Sequence, residues 1–139
     1  MSRFVRPETD KLDLTDGDWL LVKRRLTAGE ERRAFARHVK VMRRGEPTEI
    51  DPEAVGLGLM TQYLLDWSLT DDRGQVVVIR DQPTSVVEAA LNALDPASFR
   101  EINDALGAHV ERQIAALDAE KKSRGTGSRL SVISGSAGS

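Results

Sequence analysis

The chain has 139 residues, 40% hydrophobic and 30% charged, which is the size and composition of one folded domain able to bury a core without covalent staples. It holds no cysteine and two histidines, His38 and His109. That excludes disulfides, thiolate metal sites and cysteine nucleophiles, and leaves zinc chemistry and histidine triads little to work with. The net charge of −2 is unevenly spread: net +3 over residues 1–50 and net −5 over residues 51–139, with nine basic residues between Lys23 and Arg44 opposed only by Glu30 and Glu31.

Residues 1–10 are polar, contain Pro7 and read as a flexible arm without the apolar run of a signal peptide. No later window approaches the roughly 18 apolar residues of a membrane span, so the expectation is a cytosolic protein with no membrane partner. Lys11-Leu12-Asp13-Leu14-Thr15 and Asp18-Trp19-Leu20-Leu21-Val22-Lys23 flank Asp16-Gly17, a dipeptide suited to the positive φ of a hairpin turn. A β-hairpin is predicted here. Thr27-Ala28-Gly29-Glu30 has the spacing of a capping box and opens a helix over about Ala28 to Arg44. Phe35, Val39 and Met42 form its expected apolar stripe, and Arg33, Arg37, Lys40 and Arg44 form a cationic stripe beside it.

After a loop at Gly45–Ile50, Asp51-Pro52 supplies an N-cap and a proline at the first helical position. The helix that follows is expected to run to about Trp67. It is apolar around most of its circumference, the mark of a central helix, and Gly56 and Gly58 point to close approach by another element. A polar turn at Asp66–Gly74 leads to Gln75-Val76-Val77-Val78-Ile79-Arg80, a β-branched run that reads as a short strand. Thr84 or Ser85 is placed to cap a short helix, with Ser85 and Glu88 as a second capping box and Val86, Val87, Ala90, Leu91 and Leu94 on the buried side. Asp95-Pro96 starts the longest helix, to about Lys122, with Phe99, Ile102, Leu106, Val110, Gln113 or Ile114, and Leu117 in one stripe. Residues 123–139 are rich in glycine and serine and read as a flexible tail. The predicted class is mainly α with a small β component (α+β), with one globular domain over residues 11–122.

No catalytic constellation emerges, no cofactor or metal site is predicted, and an enzyme ranks last. Asp66, Asp71 and Asp72 could hold a cation, but their spacing is not that of an EF-hand and turn roles suit them better. The basic helix lacks interleaved aromatics and a preceding reading turn, so a solvated face or a protein contact is favoured over nucleic acid, with an acidic protein as the favoured partner. Arg33, Arg37, Lys40 and Arg44 are the candidate contact residues on that face. Trp67 stands where an apolar helix meets an acidic turn, so it either caps the core or anchors a partner.

Three segments resemble the tail assembly chaperones of long-tailed bacteriophages: Asp-Gly-Asp-Trp-Leu-Leu-Val-Lys leading into Arg-Leu-Thr-Ala-Gly-Glu (residues 16–30), Tyr63-Leu64-Leu65-Asp66-Trp67-Ser68-Leu69-Thr70-Asp71, and Leu94-Asp95-Pro96 through Phe99, Glu101-Ile102 and His109. The resemblance spans about residues 10–115. It implies a small helical protein of the infected cell's cytoplasm that keeps the tape measure protein soluble while the tail tube assembles. The tape measure protein is the implied partner, with the tail tube protein and further copies of the chain as additional ones. Such proteins are often made with a frameshifted longer form, and Glu120-Lys121-Lys122 would suit an A-rich slippery stretch. The Gly/Ser tail and the dense basic cluster match no part of the pattern. They keep open a virion structural protein such as a head-to-tail connector component, and a small nucleic-acid-binding regulator.

Overall fold

The structure, a computed structural model, describes residues 2–36 and 52–137, with side chains at 2–36 and 56–122. Among these residues the chain forms four α-helices and one three-stranded antiparallel sheet of order β1-β2-β3, which is the predicted α+β class. The strands are β1 (Thr9–Asp13), β2 (Trp19–Lys23) and β3 (Leu64–Trp67), and the helices are α1 (Ala28–Ala36), α2 (Pro52–Tyr63), α3 (Thr84–Asn92) and α4 (Pro96–Ala137). Two compact parts result, Met1–Gly107 and Ala108–Ser139. The division falls inside the last helix.

The hairpin forms where predicted, with Leu12 opposite Leu20 and Asp13 opposite Trp19. Its connection is a 3-10 turn over Thr15–Gly17 in which Asp16 and Gly17 take φ of 61° and 78°, the left-handed region that aspartate and glycine tolerate. The expected arm is pinned at its end. Arg24 binds Glu8 and Asp10 across the hairpin, and its N–H donates to the Glu8 carbonyl at 2.8 Å.

The capping box of α1 is complete: the Thr27 hydroxyl accepts from the Glu30 N–H at 3.2 Å, and the Glu30 carboxylate accepts from the Thr27 N–H at 2.9 Å. Glu30 also pairs with Lys23 of β2. Burial pulls the Glu30 carboxyl upward, but Lys23 and the two Thr27 groups outweigh it and hold it below its ordinary value of 4.5. A depressed folded-state value means that this stabilisation is full above about 4.5 and is lost as pH falls through the folded value. Melting temperature followed from neutral pH into acid is expected to fall less steeply for Glu30→Gln than for the wild type. A slope unchanged by Glu30→Gln would remove Glu30 from the acid response.

On α1 the packing face is turned from the predicted one. Ala34 is fully buried and Phe35 is 45% exposed, because α1 lies against α2 and a small side chain permits the closer approach. Val39, Met42 and the loop at Gly45–Ile50 lie outside the described residues.

Helix α2 begins at Pro52 as expected but ends at Tyr63, and Leu64–Trp67, read from sequence as its last turn, is strand β3. There Trp67 faces Leu20 and Leu64 faces Val22, with a bulge between Leu21 and Val22. An unpaired edge of β2 gains backbone partners by this, which the apolar run Tyr63-Leu64-Leu65 satisfies as readily as a helix would. The close approach predicted from glycine is present at Gly56, where a Cβ would stand 2.7 Å from Asn103 Oδ1 of α4.

The valine run departs from prediction in the other direction. Gln75–Arg80 is no regular strand; it is one arm of a loop hairpin with a single bridge, Thr70 to Val76. Helix α3 starts at Thr84 with Pro83 in the capping position and no side-chain cap. The expected Ser85 and Glu88 box is therefore absent, since Ser85 already lies inside the helix. Val87 and Leu91 are buried, while Val86 is 39% exposed.

Asp95 caps α4, accepting from the Ser98 N–H at 2.8 Å and from its hydroxyl at 2.8 Å. These two bonds hold its carboxyl below the usual aspartate value. The helix continues past Lys122 to Ala137. Helix propagation adds one bond per residue without a new nucleus. Ile102 and Leu106 of the predicted stripe are buried, and Ile114 is 55% exposed. The core of residues 1–107 joins Leu12, Leu20, Val22, Leu64 and Trp67 of the sheet to Ala34, Met60, Tyr63, Ile79, Val87, Leu91, Ile102 and Leu106.

Candidate interaction surface

Of the five residues singled out for partner contact, two are described. Arg33 is exposed on α1, folded back so that Nη1 lies 3.5 Å from where a Gly29 Cβ would be. Arg32 is exposed beside it. Arg37, Lys40 and Arg44 lie outside the described residues. The start of α1 has the opposite charge: Glu30 and Glu31 lie near Tyr63, whose hydroxyl is pushed up by burial and then by Glu31 and Glu30.

Trp67 is not a contact residue. It is 2% exposed, and its indole N–H donates to the Val77 carbonyl at 2.7 Å, the kind of partner that a buried indole requires. Of the two roles weighed for it, the core role holds. Trp67 faces Leu20 across the sheet, so the side of β3 that carries it is the inner one.

The acidic residues around this turn do not converge. Asp71 accepts from the N–H groups of Arg73 at 2.8 Å and Gln75 at 3.0 Å, closing a turn in which Gly74 has φ of 78°. Asp66 accepts from the Trp67 N–H at 2.9 Å and lies 3.8 Å from Arg80. Among the described residues, no group of three His, Cys, Asp or Glu is placed to hold a metal, and no helix is long and apolar enough to cross a membrane. His109 is buried at 1% exposure.

Long-range polar contacts that periodicity does not announce tie the framework together. Glu101 of α4 accepts from the Thr15 N–H at 2.8 Å and the Thr15 hydroxyl at 3.0 Å. The Ser68 hydroxyl accepts from the Trp19 N–H at 2.9 Å and donates to Asp18 at 3.0 Å. Trp19 itself is half-buried on the outer face of the sheet, with the Lys11 ammonium 5.6 Å from its ring centre, within reach of a cation–π contact. Alternation along β2 was the available signal for this outer face. Exposed apolar side chains lie elsewhere too: Val76 at 51%, Val78 at 60% and Val86 at 39%.

Comparison with models of known protein families, with curated proteins and with solved structures found no match.

Proposed function

We propose that this chain is a tail assembly chaperone that holds a phage tape measure protein soluble until the tail tube forms around it. The observation that carries this reading is how the segments of the resemblance meet: Asp18 and Trp19 of the first bind Ser68 of the second, and Thr15, the residue just before the first, binds Glu101 of the third. They constitute one framework, and solvent-facing apolar side chains and the arginines of α1 lie around it. A tape measure protein is long and helical, with apolar stripes that aggregate before assembly, so its holder needs reversible contact surfaces.

Co-expression with the tape measure protein of the same phage is expected to raise that protein's soluble yield, and the two are expected to co-purify. Charge reversal at Arg33, Arg37 and Lys40 together should reduce the co-purified fraction while leaving the fold intact. Unchanged solubility, with the chain present in purified virions at fixed copy number, would replace this reading with the connector reading.

A further inference from the structure

The hairpin turn carries an inference independent of that functional reading. Asp16-Gly17 is the single Asp-Gly step in the chain, and no Asn-Gly occurs. Aspartate before glycine is open to succinimide chemistry, because no side chain shields the nitrogen that follows it. Both residues are exposed, and space is open where a Gly17 Cβ would stand. Among the described residues the Asp16 carboxylate takes part in no hydrogen bond or ion pair, whereas those of Asp18, Asp66, Asp71 and Asp95 each accept a hydrogen bond.

The resting turn opposes the reaction. Asp16 has φ of 61° and ψ of 23°, and at this ψ the Gly17 nitrogen stands nearly opposite Cβ across the Cα–C bond, out of reach of the carboxyl carbon. Ring closure needs that bond to rotate, which breaks the bond of the turn itself, from the Asp18 N–H to the Thr15 carbonyl at 3.2 Å. Thr15 is in addition clamped from α4, because its N–H and hydroxyl donate to Glu101 at 2.8 and 3.0 Å.

We propose that Asp16 is a site of spontaneous isomerisation to isoaspartate, gated by the hold of Glu101 on Thr15. When the turn opens, the Gly17 nitrogen attacks Asp16 Cγ. A C–N bond forms, and the carboxyl hydroxyl leaves as water with the amide proton. Water then adds to the main-chain carbonyl of the ring and breaks its bond to the Gly17 nitrogen, so the chain continues through Cβ and Cγ. Mass is unchanged and water is the sole co-reactant. The product is one carbon longer at the turn, so the bonds joining Asp18 to Leu14 and Thr15 no longer span it and Thr15 is displaced from Glu101.

Methyltransferase labelling and peptide mapping of the full chain, warmed at neutral pH, are expected to find isoaspartate at residue 16 ahead of every other aspartate. Ring closure is slow against opening, so its rate follows the fraction of open turns. Glu101→Ala is expected to speed it roughly tenfold, the effect of two lost hydrogen bonds on an opening equilibrium. Glu101→Gln keeps one acceptor and should fall between, and it supplies the comparison should Glu101→Ala melt early. Asp16→Asn closes the same ring with loss of ammonia, so a gain in mass reports closure directly. A folded chain labelled first at another aspartate, an Asp16→Asn chain that keeps its amide when folded and loses it only in urea, or latch variants that isomerise at the wild-type rate would each overturn the proposal.

Discussion

Trp67→Ala is expected to cost about 3–5 kcal/mol from packing alone, the range for an aromatic deleted from a core. The Val77 carbonyl also loses its indole partner, and a part-buried acceptor left without it adds about 1 kcal/mol. Domains of this size have about 5–15 kcal/mol to lose, so the variant should melt on the order of 20 °C lower or fail to fold. Trp19→Ala is the internal control. Trp19 is half-buried and contacts Lys11, and its loss should cost a fraction as much. Thermal melts of the two variants decide the matter: a Trp67→Ala chain that melts within a few degrees of wild type would contradict the burial of this side chain. The same contrast bears on interpretation, because a binding defect in Trp67→Ala would report unfolding and not a lost contact.

A second large effect is expected from adjacent leucines of β2. Leu20 has no exposed surface and faces Trp67, while Leu21 is half-buried and faces Asp66 on the other side of the sheet. Leu20→Ala should cost about 2–5 kcal/mol, and Leu21→Ala about 1 kcal/mol or less. Side chains on a strand alternate between faces, so a slip of one residue in register would exchange the two results. Denaturant titrations of both variants, with equal m-values as evidence of a common unfolded reference, measure the difference directly. Equal costs for Leu20 and Leu21 would contradict their placement on opposite faces of the sheet.

Both variants probe places where sequence reading succeeded only in part. Leu20 and Trp19 were correctly placed on a hairpin, because the Asp-Gly turn and the alternation beside it act over a few residues. For Trp67 the sequence leaves core and contact both open, and it reads the run containing this residue as a helix end where the structure has a strand. Apolar residues at 63, 64, 65 and 67 fit a buried helix end as well as a strand, and only the free edge of β2, over forty residues earlier, separates the two. On α1 Ala34 takes the buried place that the pattern gives to Phe35, for a related reason. The stripe on α1 is legible to within about one position, but which position meets α2 depends on how closely the helices approach. Among the candidate contact residues, Arg33 lies at the surface as its pattern suggested.

Features whose bonds close within a few residues follow from local residue types: the left-handed turn at Asp16 and Gly17, the reciprocal cap of Thr27 and Glu30, and the Asp95 cap on Ser98. In each, donor and acceptor are near neighbours in the chain, so the residue types at that spacing carry the energy. Tertiary structure alone decided that Leu64–Trp67 joins the sheet, that the valine run keeps one edge open, and that Thr15 is held by Glu101, 86 residues away. Strand pairing and long-range polar contacts take their free energy from a partner elsewhere in the chain, and a local pattern records only that a partner is needed, not which one arrives.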